Sequence, residues 1–296
     1  MTNFDSNQNV SHMETQLLSS EKILVKGNYR PKILDFAAKF WFIAATIGQW
    51  LFGLYIIAFY HTSTFTGDFE KWNRVLPKGY VAGDWKGNLM VGIHVILAAV
   101  IVIGGPLQII PFIRDRFRTF HRWLGRVYVF TAIIVSSAGL IMTWTRSKGL
   151  IGDTFMHISN SMQAVYIIAF AILSIRYAQK GQFDKHRRWT LRLFMVANGV
   201  WFFRVGLMAW LVLNQGPVGF DTDTFTGPFL TFLSLFTYAL PLSVIMLEMY
   251  FYAQKIKNQL FSYLTSGIIF LFTIIMAIGI FGATMGMWLP RIFTKN

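Results

Sequence analysis

The chain has 296 residues, of which 54% are hydrophobic and only 14% charged, against roughly 25% charged in an average soluble domain. An aromatic content of 17% excludes a disordered chain, because that much apolar surface is not left in water. The absence of cysteine excludes disulfides, thiolate catalysis, iron–sulfur clusters and cysteine-ligated zinc. A net charge of +14 suits either nucleic acid or a membrane surface, and the positions of the charges decide between them.

Residues 1–36 are polar and contain no apolar core, so they do not form a cleaved signal peptide. Residues 1–20, rich in Ser, Asn and Gln, are expected to be disordered. A membrane-crossing helix needs about 20 mainly apolar residues. Seven runs meet that length: 40–59, 89–113, 127–145, 154–175, 193–213, 228–247 and 264–289. None shows the alternation of a transmembrane barrel, so each run satisfies its backbone as a helix. The expected fold is all-α: a polytopic membrane bundle of seven transmembrane helices over 37–290, with a short external tail at 291–296.

Basic residues set the orientation. Eighteen Lys and Arg flank one set of connections, before the first run and after the second, fourth and sixth, while eight lie on the other side. This places the N-terminus inside and the C-terminus outside, in the manner of a bacterial cytoplasmic membrane protein. It also assigns the positive charge to anionic lipid rather than nucleic acid. The longest outer loop, about 60–88, carries Trp72, Tyr80 and Trp85, either as an interfacial aromatic belt or as a lid over an outward-facing site.

Four histidines fall in a repeat. His94 lies in the second run and His121 just before the third; His157 lies in the fourth and His186 just before the fifth. Phe120-His121-Arg122-Trp123 is echoed by Lys185-His186-Arg187-Arg188-Trp189, as in a tandem duplication of a two-helix unit. His94 and His157 form an outer pair, roughly 5–8 Å below the boundary, and His121 and His186 an inner pair. One imidazole from each of two helices, at two depths, is what a bundle holding two b-type haems requires. Gly92, Gly104, Gly105, Gly125 and Gly139 could admit a porphyrin or simply pack helices. The competing readings are hydrogen-bonded structural histidines, phosphate contacts at the inner boundary, or a metal or proton site.

Arg204 is the one charged residue within the seven runs. A central Arg costs about 2.5–3.5 kcal/mol on insertion scales, so it must face the interior and find an acceptor. Glu248 is the only acid beside the bundle, but it is displaced by roughly 15 Å in depth. Carbonyls freed by Pro241 or an anionic ligand remain. The loop from Asn214 to Asp223 holds two acids, Asp221 and Asp223, whose ordinary role is solvated turn chemistry; no metal site is assigned. No phosphate loop, HExxH or Ser/His/Asp signature occurs.

Gly105-Pro106-Leu107-Gln108 running into Arg114, then His121-Arg122-Trp123-Leu124-Gly125-Arg126-Val127-Tyr128, later His186-Arg187-Arg188-Trp189 with Arg192, and Trp201-Phe202-Phe203-Arg204 together resemble the bacterial membrane family called domain of unknown function 2306. The resemblance covers about 88–250 and implies a multipass fold with no assigned reaction. The four-histidine layout is also similar to that of two-haem transmembrane cytochromes b. The expected function is haem b electron transfer, exchanging with quinone. The alternatives are a transporter or metal- or proton-handling protein using Arg204 and the outer histidines, or a sensor or scaffold.

Overall fold

A computed structural model describes residues 32–75, 79–145, 152–256 and 258–293. The expected disorder of residues 1–20 falls outside the described residues. Helix α1 spans Lys32–Phe65 and is followed by a 3-10 turn, Phe69–Arg74. Then come α2 (Trp85–Ile109), α3 (Pro111–Arg116), α4 (Arg118–Thr145) and α5 (Thr154–Gln179). The fifth apolar run is divided into α6 (Phe183–Ala197) and α7 (Gly199–Asn214). The sixth is divided into α8 (Pro228–Ser234), which continues as a π turn over Leu235–Ala239, and α9 (Leu242–Lys255). Helix α10 (Gln259–Ala283) carries the last run through a second π turn, Thr284–Trp288, into α11 (Leu289–Phe293). The described residues contain no strand, only an isolated bridge between Asp221 and Thr226.

Five helices are long and apolar enough to cross a membrane alone, and the two bent pairs raise the number to as many as seven. The pairs bend by 49° between α6 and α7 and by 50° between the π turn and α9. Side-chain caps fix where three long helices begin. Asp84 accepts from the Gly87 N–H at 2.9 Å before α2, Asp153 from the Met156 N–H at 2.8 Å before α5, and Asn258 from the Phe261 N–H at 3.0 Å before α10.

The helices pack as a ring. Around it, α7 lies on α10, α10 on α1, α1 on α2, α2 on α4, α4 on α5, and α5 on α6. The first half of the sixth run, α8 with its π turn, closes the ring by packing on both α5 and α7. Gly279 sets the tightest seam: a Cβ there would collide with the Val205 carbonyl, so α10 and α7 meet at backbone distance, as small residues permit in membrane helices. At the end opposite the basic connections, the loop after α1 folds inward. Trp72 is buried, donates its indole N–H to Ser63 Oγ at 2.9 Å and covers Gly92. Asn73 holds both backbone polar groups of Tyr80. Trp85 remains 68% exposed, as an interfacial aromatic does.

Candidate functional site

Both interruptions meet at one helix. Where α6 ends, the Asn198 side chain turns back to the Phe194 carbonyl at 2.8 Å, and Gln163 Nε2 of α5 donates to the Val196 carbonyl at 2.7 Å. These bonds take up carbonyls that a helix end leaves over. Gly199 is required there, because a Cβ would collide with Gln163 Nε2 and come within 3.2 Å of the Thr237 carbonyl. In the sixth run the Leu240 N–H reaches back to the Leu235 carbonyl at 2.8 Å, and Pro241 has no N–H with which to continue the helix. Tyr166, one turn after Gln163 on α5, donates its hydroxyl to the Ala239 carbonyl at 3.0 Å. Irregular backbone at membrane depth is thus sealed by two side chains of one helix face.

Arg204 sits on α7, on the interior side of this junction. Its guanidinium carbon lies 5.8 Å from the centre of the Phe52 ring of α1. Tyr60 and Tyr238 are within its electrostatic reach. Its Nε is enclosed and, among the described residues, no acceptor or carboxylate reaches it. Glu248 is not available: its carboxylate is taken by Arg192, with Nε to Oε1 at 2.6 Å and Nη2 to Oε2 at 3.1 Å.

Further unsatisfied polar groups lie on α1 and α7, the helices that carry Phe52 and Arg204. Gln49 of α1 is fully buried, and both of its amide atoms lack a partner among the described residues. Thr46 Oγ1, Tyr55 OH and Trp201 Nε1 are in the same condition. The Trp201 ring rests on Gly48, whose added Cβ would stand 2.8 Å from Trp201 Cζ2. Since Nε1 and Cζ2 share one ring neighbour, the indole N–H also faces this stretch of α1. Thr46 and Gln49 are one turn apart on α1, and Trp201 and Arg204 one turn apart on α7, so each pair shares a helix face. Buried polar groups are ordinarily paired. Unpaired donors on the two helices that flank this cation are therefore suited to an acceptor-rich ligand.

The histidines occupy separate places. His94 seats its Cε1 3.6 Å from the Cβ position of Gly139 on α4, and its Nδ1 is buried without a partner. His157 Nε2 is likewise enclosed and unpaired. No hydrogen bond links the two outer imidazoles among the described residues. Gly53 of α1 faces Val102 and Ile103 of α2, so Arg204, beside Phe52, lies roughly 13 Å along α2 from His94 at 1.5 Å per residue. The inner pair is closer, since His186 lies near enough to act electrostatically on His121. His186 Nδ1 is 3.0 Å from the Ser174 carbonyl. Gln108, with its amide nitrogen turned toward His121, donates to His121 Nδ1 at 3.1 Å. Each inner histidine is thus tied to the last turns of an earlier long helix, His121 to α2 and His186 to α5. Three of the glycines expected to admit a porphyrin are covered by side chains: Gly104 by Leu124, Gly105 by Phe194 and Tyr128, Gly125 by Gln108.

Asp221 closes its own loop. Its Oδ1 accepts from the Asp223 and Thr224 N–H groups, both at 2.8 Å, and from the Thr224 hydroxyl at 3.0 Å. These bonds, first those from Thr224, hold its carboxyl below the usual carboxylate range. No group of three or more His, Asp or Glu among the described residues is placed to hold a metal ion.

Sequence patterns singled out Arg204 but passed over Gln49, Thr46, Gln163 and Asn198. The available signal was an amide or hydroxyl inside an apolar run, at one-turn spacing in the case of Thr46 and Gln49.

Long apolar helices around an interior that seals amides and one guanidinium make this a polytopic membrane protein. Residues 91–223 match the family described as predicted membrane protein DUF2306, the family that the histidine and arginine motifs resemble. No curated protein and no solved structure matches the chain.

Proposed function

We propose that the chain is a carrier of the bacterial cytoplasmic membrane that binds a small organic anion, a carboxylate, at Arg204. The observation that supports this reading is the unpaired guanidinium of α7, set against Phe52 of α1, with unpaired polar groups of Trp201, Gln49 and Thr46 on the same two helices, in a bundle with two interrupted helices. Interrupted helices at membrane depth mark substrate sites in many transporters, and a planar guanidinium can bind a carboxylate through two parallel bonds. The test is the thermal stability of the detergent-purified protein against inorganic phosphate and a series of mono- and dicarboxylates at constant ionic strength. A ligand present at 100 times its Kd adds about 2.7 kcal/mol. One of these anions should raise the midpoint in wild type and leave Arg204→Leu unmoved. A shift that survives in Arg204→Leu, or no shift with any anion, overturns the proposal.

A second reading, haem b electron transfer exchanging with quinone, draws support from the inner pair alone. An imidazole whose Nδ1 faces a backbone carbonyl, as His186 does at Ser174, keeps Nε2 for a metal, and His121 stands nearby. Haem would supply one-electron chemistry, which no side chain here supplies. His121, His186 and the outer pair His94 and His157 would be its ligands. A visible spectrum of protein from haem-supplied cells, with and without dithionite, tests this reading; absence of Soret and α bands removes it.

A further inference from the structure

The bend in the sixth run opens a groove on the opposite side of α7 from Arg204. The outer half, α8 with its π turn, packs on α5 and α7, whereas α9 packs on α10. The two halves therefore leave α10 at different levels, and a cavity of about 460 Å³ opens between them. Its walls include Phe202, Phe272 and Met276, and its polar lining is confined to Arg187, Thr237, Ser243 and Tyr250. The lip is open: Phe232 is 60% exposed, on a surface that faces lipid. The size is that of a small-molecule site, but the lining is too apolar for a freely soluble ligand.

Charge says what the occupant carries at one end. Arg187, the only charged lining residue, stands at the basic end of the bundle. Two neighbouring arginines are engaged: Arg188 stacks on Phe251 with its guanidinium 5.3 Å from the ring centre, and Arg192 pairs with Glu248. Arg187 is exposed and has no ion pair among the described residues. We propose that the groove holds one acyl chain of an anionic phospholipid whose phosphate rests on Arg187. Seated there, the chain is a wedge that keeps the halves of the sixth run apart and fills space that would otherwise leave the aromatic walls without contacts.

The test is lipid titration of the full-length protein in detergent, followed by native mass spectrometry, with phosphatidylglycerol and phosphatidylcholine of identical acyl chains. Wild type should bind phosphatidylglycerol about fivefold more tightly, the preference that one interfacial arginine confers. Arg187→Gln should equalise the two lipids. Ser243→Phe, which fills the groove below the head, should lose both. Each variant's thermal midpoint without lipid shows that it is folded. A preference that persists in Arg187→Gln, equal binding in wild type, or undiminished binding in Ser243→Phe overturns the proposal. So does displacement of phosphatidylglycerol by inorganic phosphate at equal concentration, which would show a head site without a tail, or by an isoprenoid quinone that binds more tightly.

Discussion

Arg192 and Glu248 join the basic-end halves of the two interrupted runs, α6 and α9, through a two-point pair of 2.6 and 3.1 Å. The Arg192 guanidinium also stacks on Trp189 at 4.5 Å. The same pair makes Glu248 unavailable to Arg204: that carboxylate is already neutralised at another depth. A double-mutant cycle with Arg192→Met and Glu248→Gln should give a coupling of about 0.5–1 kcal/mol, the range of partly exposed pairs, in chemical denaturation of the detergent-solubilised protein. Zero coupling would make the pair incidental.

Arg204→Leu should insert and accumulate normally, because it removes the burial cost of the cation along with the ligand contact. It should nevertheless fail to restore function in a deletion strain with protein levels matched. Arg204→Lys should restore only part, since a point charge lacks the planar fork. Full function in Arg204→Leu would reduce the guanidinium to a structural group.

The junction of the interrupted runs makes a sharper demand on volume than on polarity. Gly199→Ala should cost about 1–3 kcal/mol, because its methyl displaces Gln163 and crowds the Thr237 carbonyl. A thermal midpoint equal to wild type would show that the junction yields.

The asymmetric charges predict an orientation. Reporter fusions after Gln182 should give an inside signal and fusions after Asp221 an outside one. An inside signal at Asp221 would reverse the assignment of N-terminus inside.

The Asp221 loop should respond to acid. Its carboxyl is held below the usual carboxylate range by the Thr224 and Asp223 donors. The folded pKa is thus depressed, so its contribution is full above the unfolded value of about 3.9 and is lost as pH falls through the folded one. Backbone exchange at Asp223 and Thr224, corrected for intrinsic rates, should stay slow at pH 6 and quicken below pH 4. Asp221→Ala should be fast throughout. A pH-independent ratio would exclude the carboxylate as the lock.

Apolar runs made the long helices legible, since length and hydropathy are summed over some twenty residues. The interruptions were less so. Pro241 was visible as a helix breaker, but Ala197-Asn198-Gly199 hardly changes a hydropathy window, and a bend stabilised by Gln163 from another helix has no local signature. Arg204 was legible because a charge in an apolar run is costly and rare. Its companions Gln49, Thr46 and Trp201 were not, because whether such side chains find partners is a property of packing. The repeat of the histidine motifs, each just before a returning helix, put His121 and His186 at one level, whereas the depth of His94 relative to Arg204 was a matter of counting residues.

The seam at Gly279 divides the labour of the bundle. Because α7 and α10 touch backbone to backbone there, Arg204 rides on a rigid block formed with α1. Helices α6 and α9, latched together by Arg192 and Glu248, follow on in the chain through Asn198 and Leu240, and they also pack on α5 and α10 respectively. A small swivel at those two joints would carry the cation relative to the basic face of the protein, with α6 sliding on α5 and α9 on α10. If the proposed carrier function holds, alternating exposure of the anion would turn on two hinge residues, one latch and those two sliding contacts.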